Sequence, residues 1–247
     1  LIKNTKIGSV ITYLDWVNST NNYVANLVQE GKIVHGQVIM SDYQGEGRGQ
    51  RGSNWYSEPG KNLLLSVFLE FDNLSVSEQA WLLKYTAVSI LTVIQNHIKT
   101  AKIKWPNDIF VNDKKICGIL IENQFLGSKI KNAIIGVGLN VNQENFGQLN
   151  ATSLKNECNQ DFNRIEILES LINSLNFNLD LLLTNKMELQ HLYRSFLYRI
   201  GAKSTFYNLK MGEFLGTIID VNLEGRLVVQ VNGELMEFEL KEIQLID

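Results

Sequence analysis

The spacing of apolar and polar positions changes several times along the chain, and each change marks an element. Val10–Asp15 alternates as a short strand. Ser19 and Thr20 then open a helix over Asn21–Gln29 that Gly31 closes, because Ser or Thr at such an edge can cap free backbone N–H groups. Gln37–Asp42 reads as a strand, Tyr43–Asn62 as a long polar, glycine-rich loop, and Leu63–Phe71 as an apolar strand ending in acidic residues. Ser77–Ile98 has the spacing of a long amphipathic helix with Ser77 as its cap. Lys102–Trp105 runs as a strand into Pro106-Asn107-Asp108, which breaks the pattern. Ile109–Val111 and Ile116–Glu122, joined by a turn at Asn112-Asp113-Lys114, predict a hairpin. Ala133–Val141 is a further strand interrupted by Gly136 and Gly138; glycine inside a strand marks a bulge or the close approach of another backbone or a ligand.

Arg164–Leu183 and Lys186–Arg199 are helical by their spacing. Beyond Gly201 the period shortens. Thr205–Tyr207, Phe214–Val221, Arg226–Val231 and Leu235–Leu240 are short strands separated by turns at Leu209–Gly212, Asn222–Gly225 and Asn232-Gly233. This predicts a boundary near Ile200, dividing the chain into 1–200 and a small all-β module, 201–247, similar to an SH3-like barrel.

With 247 residues, 45% of them hydrophobic, the chain can build one substantial core and a small second domain. A formal net charge of −3 excludes an overall basic surface for gripping nucleic acid and leaves only a local patch open. Cys117 and Cys158 provide neither a disulfide framework nor zinc spacing and suit a reducing cytosol. Leu1–Tyr13 lacks the apolar stretch of a signal peptide, and no run of about 18 apolar residues predicts a membrane span, so a cytoplasmic protein is expected.

The candidate chemistry lies in four stretches. In Tyr43–Trp55, Gly47, Gly49 and Gly52 satisfy the G-x-G-x-x-G pattern, but the dinucleotide reading needs a strand before it and a helix after it. Here Trp55, Pro59 and Gly60 follow, then a strand, so no helix N-terminus is available for a pyrophosphate; the G-x-x-x-x-G-K-[ST] pattern is also absent. What remains is a pliable backbone carrying Arg48 and Arg51, whose planar guanidinium forks suit carboxylate or phosphate oxygens, and Trp55, which can stack on or cover a purine. The bland alternative is a solvated loop.

Lys104–Asp108 leads to Lys114–Glu122, where Lys115 enters an apolar strand and can direct charge at an anion, with Gly118 leaving space beside it. A surface lysine pair at a hairpin end is an equal reading. Cys117 is a packing residue, and His35, His97 and His191 are isolated and structural or exposed. In Ile134–Asn142, Gly136 and Gly138 make a flat floor, and the Asn140 amide can read a base edge; a bulged core strand is the alternative. Ser19-Thr20-Asn21 can bind a polar ligand head or simply cap a helix.

Taken in order, the four stretches resemble the biotin–protein ligase family over most of Val10–Asn142, with weaker likeness beyond. The resemblance implies an α+β fold: a mixed β-sheet flanked by helices, like the catalytic domain of class II synthetases, followed by the small β-barrel. It implies that Ser19, Thr20, Asn21 and Gln44 meet the biotin ring system, with Gly47, Gly49, Gln50, Gly118, Gly136 and Gly138 around it. Arg48 would engage the biotin carboxylate and the phosphate. Lys115 would hold the carboxylate and the reacting phosphoryl group, and these two are the implied catalytic residues. Arg51, Trp55, Asn107 and Asn140 would complete the ATP site. ATP, Mg2+, biotin and a biotin carboxyl carrier protein or domain are the implied ligands and partners, with metal ligands unspecified, no nucleic acid or membrane, and a homodimer left open.

Two departures stand out. Gln50 occupies a position where many family members carry a further arginine, which removes one positive charge near the phosphates. Ser19–Asn21 also comes almost at once, leaving no room for the helix-turn-helix domain that precedes the catalytic domain in some bacterial ligases. A lipoate–protein ligase and a non-catalytic biotin or nucleotide binder are the rival readings.

Overall fold

A computed structural model describes residues 6–246, without the side chain of Arg51. Its main sheet has seven strands: β1 (Ile11–Leu14), β2 (Val38–Ser41), β3 (Leu63–Ser75), β4 (Lys102–Lys104), β5 (Asp108–Val111), β6 (Lys114–Leu126) and β7 (Lys129–Leu139). They lie in the order β1-β2-β3-β7-β6-β5-β4. The pair β1 and β2 is parallel and the others are antiparallel, so the sheet is mixed as expected. The parallel pair requires a crossover, which α1 (Thr20–Gln29) supplies.

Alternation along β3 divides its side chains between two faces. Leu63, Leu65, Val67 and Leu69 join the main core beneath α2 (Gln79–Gln95) and α4 (Arg164–Thr184), whereas Phe68 joins Ile39, Ile134 and Val24 in a smaller cluster under α1. Leu64 and Ser66 share that second face, and α1 leaves part of it uncovered by apolar side chains.

Several boundaries differ from the sequence expectation. Ser75, not Ser77, makes the cap: with Glu78 it forms a capping box around the short 3-10 turn Val76–Glu78 that leads into the long helix, whose own N-cap, Glu78, makes no side-chain capping bond. Ser19 does sit at the N-cap of α1, but its side chain makes no capping bond. Strands β6 and β7 extend to meet at a turn where Gly127 has φ +60°, and Leu154–Cys158 forms a short helix, α3. Helix α5 (Lys186–Ser195) stops early because the chain leaves it to pair with β4: the Ile103 amide donates to the Phe196 carbonyl and the Tyr198 amide to the Ile103 carbonyl.

The segment then bridges from Ile200 to Ile218 of a second, antiparallel sheet. This sheet comprises β8 (Lys203–Asn208), β9 (Gly212–Val221), β10 (Leu227–Val231), β11 (Glu234–Phe238) and a short unpredicted strand, β12 (Gln244–Leu245), in the order β11-β10-β9-β8-β12. Its buried Phe206, Val229 and Phe238 are continuous with the main core. Among the described residues no helix is long and apolar enough to cross a membrane.

Candidate active site

The uncovered part of the α1 face is made by strand register. Gly136 pairs with Ser66 on one side and Leu120 on the other; Gly138 pairs with Leu64 and Gly118. Four neighbouring positions on one face thus include three glycines. An added Cβ at Gly136 would lie 2.4 Å from Asn21 Oδ1, and one at Gly138 would lie 2.5 Å from the Trp55 ring. At Gly118 it would meet Trp55 at 2.9 Å and the Lys115 Cε at 3.2 Å. The floor is therefore bare backbone, and α1 and the glycine loop rest on it.

A polar cluster stands at one end. The Thr20 amide and hydroxyl both donate to Gln44 Oε1, at 2.8 and 3.1 Å. The buried Ser66 hydroxyl lies 2.7 Å from Thr20 Oγ1 and 2.6 Å from Asn21 Oδ1. Asn21 Nδ2 donates to Glu122 Oε2 at 2.7 Å.

Two ion pairs flank the floor. Arg48 Nη2 reaches both Glu122 oxygens, at 2.9 and 2.7 Å. Lys115 Nζ lies 2.7 Å from Asp108 Oδ1 and 5.5 Å from the Trp55 ring centroid. Burial pushes the Asp108 carboxyl above the usual range, against the opposing pull of Lys115 and then Lys104. Cys117 is buried and its thiol is pushed far up by burial, so it is a packing residue and no nucleophile.

The glycine loop doubles back on itself. The Gly49 amide donates to the Ser53 carbonyl and the Trp55 amide to the Gly47 carbonyl, with Gln50–Gly52 a 3-10 turn at the tip. Trp55 consequently lies over the floor, and the cavity left there is small, about 40 Å3. The Trp55 Nε1 and Asn140 Oδ1 atoms are buried and find no hydrogen-bond partner among the described residues.

The structure brings Ser19, Thr20, Asn21, Gln44, Arg48, Gly49, Gln50, Trp55, Asn107, Lys115, Gly118, Gly136 and Gly138 around this one cavity. Asn140 lines an adjoining cavity of about 170 Å3 that shares Trp55 and Lys115. Gly47 faces the far side of the loop, where an added Cβ would strike the Trp55 carbonyl oxygen at 2.5 Å. The side chain of Arg51 lies outside the described residues.

Sequence reasoning missed three participants. Ser66 is a serine in an apolar strand, which was the available signal. Glu122 falls on the same alternation as Gly118 and Leu120. Asp108 stood in the run already singled out, but only pairing with Lys115 reveals its part. Among the described residues no three His, Cys, Asp or Glu side chains cluster to hold a metal ion.

Residues 13–140 match the family model for the biotin/lipoate A/B protein ligase family. Over 252 aligned residues the chain is 28% identical to the "Bifunctional ligase/repressor BirA" of Bacillus subtilis (strain 168), covering 99% of this chain and 76% of that protein. It is 27% identical to the "Biotin--[acetyl-CoA-carboxylase] ligase" of Mycobacterium tuberculosis, covering 92% of this chain and 86% of that protein. Among solved structures, the biotin protein ligase of Aquifex aeolicus in complex with biotin and ATP superposes with a TM-score of 0.79 at 24% identity, over 96% of this chain and 99% of that one. This last likeness is one of fold.

Proposed function

The chain belongs to the biotin/lipoate A/B protein ligase family, and within it we propose that the protein activates biotin with ATP and transfers the biotinyl group to a lysine of a biotin carboxyl carrier protein or domain. The observation that carries this reading is the polar cluster of Thr20, Asn21, Gln44 and Ser66 at the end of a glycine floor flanked by two cations. A ureido ring offers N–H donors and a carbonyl acceptor that such a cluster can match. The dithiolane of a lipoyl group offers neither, and could add no hydrogen bond to a cluster whose side chains pair with one another and with Glu122.

In the first step a biotin carboxylate oxygen attacks the α-phosphorus of ATP. The new O–P bond forms as the bond to the β-phosphate oxygen breaks, and pyrophosphate leaves with the electron pair. Arg48 and Lys115 stabilise charge on the carboxylate and phosphoryl oxygens, and Arg51 adds to it. Both described cations already hold a carboxylate, Glu122 or Asp108, so ligand anions exchange with or join a resident partner. In the second step the carrier's ε-amine attacks the mixed-anhydride carbonyl carbon, the amide forms, AMP leaves and the amine loses its proton. Trp55 would move off the floor to admit the ligand and then, with Asn107 and Asn140, frame the adenine. The orphaned Trp55 Nε1 and Asn140 Oδ1 would gain partners in that arrangement.

Magnesium fits as part of the nucleotide substrate, because phosphates supply most of its oxygen ligands in such sites. The described residues offer no metal cage of their own, and Asp108 and Glu122 are both engaged by cations. Cys117 and Cys158 are free thiols, which supports a cytoplasmic location.

The test is incubation of the chain with Mg-ATP, radiolabelled biotin and a biotin-acceptor domain. Biotinyl-AMP should form, followed by label on one carrier lysine. Activation of lipoate or octanoate in place of biotin would overturn the assignment.

A further inference from the structure

We propose that Trp105 and Lys84 are positioning residues, through which the Asn222–Gly225 turn of the second sheet sets the place of Asp108 and hence of Lys115. Among the described residues the sheet itself supplies none to the cavity on the glycine floor, though it lines a neighbouring cavity with Asn107 and Asp108; the connection runs through the chain. The proposal rests on the catalytic reading of Lys115 given above.

The turn is fixed from one side by α2. Gly225 has φ +91°, and an added Cβ would come 2.8 Å from the Ala80 Cβ, so the turn sits against the start of the helix with no room to spare. One helical turn on, Lys84 is 1% exposed. Its ammonium donates to the Asn222 carbonyl at 2.6 Å and to Gln190 Oε1 at 2.5 Å, and lies 4.7 Å from the Trp81 ring centroid. Gln190 in turn donates to the Val221 carbonyl at 2.7 Å. A leucine or methionine at position 84 would pack here at less desolvation cost. What the lysine adds is direction: it ties α2 to one carbonyl of one turn.

From the turn the connection runs inward. The Gly225 carbonyl accepts the Trp105 indole N–H at 2.9 Å. Only residues 105–107 separate β4 from β5. Asn107 clamps β6 twice, its Nδ2 donating to the Ile119 carbonyl at 2.7 Å and its carbonyl accepting the Ile119 amide at 2.9 Å. Asp108 comes next and holds Lys115 at 2.7 Å. With so short a segment, a shift of Trp105 is a shift of Asp108.

The experiment uses the full chain with Trp105→Phe, which keeps a ring and loses the N–H, and Lys84→Met, singly and together. Single-turnover formation of biotinyl-AMP should slow by about tenfold in each, the scale of one lost hydrogen bond in a tightly fitted site, while biotin KM stays within about twofold. The double variant should be no slower than the worse single one, because both act through the same turn. Without ligand, amide exchange at Ile119 should quicken in each variant while that of β2 stays unchanged. Wild-type rates with unaltered Ile119 exchange would overturn the proposal, and so would losses that multiply in the double variant. If Lys84→Met fails to fold, Trp105→Phe decides by the same readouts. If the wild-type chain makes no biotinyl-AMP, the proposed function falls, and Ile119 exchange still judges the connection.

Discussion

Lys115 and Lys84 are both held among aromatic rings and hydrogen-bonding partners, yet their surroundings differ in kind. The Lys115 side chain is 33% exposed at the rim of a glycine floor, and its partner is a carboxylate, Asp108. Lys84 is sealed between α2, α5 and a turn, and its hydrogen-bond partners are two neutral carbonyl oxygens. An ammonium facing a carboxylate at an open rim can accept another anion beside it. An ammonium fixed on two carbonyls and closed off from water cannot, and its charge is a cost that burial imposes. Exposure and partner charge, more than the presence of a lysine in an apolar segment, separate a ligand-directed cation from a junction.

Breaking the first member of the pair should have the largest effect. Lys115→Ala is expected to slow biotinyl-AMP formation about a hundredfold, roughly 3 kcal/mol, because its charge matters most as electrons shift onto phosphoryl oxygens. Biotin affinity measured by calorimetry should fall much less. Lys115→Arg should rescue only part, since a planar fork does not fit a point-charge position. Lys114 is exposed at the other side of the strand, so Lys114→Ala is the control and should be nearly silent. Wild-type adenylation by Lys115→Ala would make the rim lysine as structural as the buried one.

A smaller effect is expected at the floor between Lys115 and the polar cluster. In Gly138→Ala the new methyl group would lie 2.5 Å from the Trp55 ring in the present arrangement. Overpacking of this kind costs about 2 kcal/mol while Trp55 lies on the floor, and because Trp55 leaves the floor to admit ligand, relief of that strain should lower ATP KM by up to roughly thirtyfold. Tryptophan emission of the ligand-free variant should shift as the ring is expelled, which separates the steric effect from catalysis. An unchanged spectrum and unchanged ATP KM would show that the floor is not where Trp55 rests.

The same contrast explains how much the sequence could reveal. Gly136 and Gly138 were visible as breaks in a strand, and the Arg48 loop and Lys115 as charges in unusual company. Their convergence on one site was implied only by the family resemblance and not by spacing, because it depends on register: Ser66, Gly136 and Leu120 are aligned by pairing among β3, β7 and β6. Glu122 and Asp108 escaped notice for that reason, each gaining its part only when a cation from elsewhere in the chain is brought to it. Two positive-φ residues, Asn112 and Asp113, form the tight hairpin turn that the Asn-Asp pair announced. The end of α5 could not be read, because apolar spacing continues through Leu197 while the backbone is diverted to pair with Ile103. Lys84 carried no signal either: in the sequence it is one polar residue on a helix, and only packing shows that it is buried.

The smallest predicted effect tests the other side of the comparison, through pH. Burial lowers the Lys84 pKa to about 8 from 10.5, opposed by the charges of Asp220 and Glu224. Gln190 and the Trp81 and Tyr193 rings, which also face it, are neutral over this range, burial holding the Tyr193 hydroxyl well above its ordinary value. Arg194 lies 3.8 Å from Asp220 and weakens the help that this carboxylate gives. Between pH 8 and 10.5 the unfolded chain therefore holds a proton at Lys84 that the folded chain has released. Stability rises with pH wherever the unfolded state binds more protons, so this lysine stabilises the fold fully only above the unfolded value and loses that contribution as pH falls toward 8. Lys84→Met has no such proton, while every surface group titrates equally in both proteins and cancels. Urea unfolding of the two at pH 7.5 and 9.5 should show wild type gaining on the variant by about 1–2 kcal/mol at the higher pH. A stability difference that stays constant, or that moves in the variant's favour, at the higher pH would mean that Lys84 keeps its charge when folded, with Asp220 and Glu224 outweighing burial. Lys84 would then be an ion-paired lysine like Lys115, and the distinction between the two would rest on exposure alone.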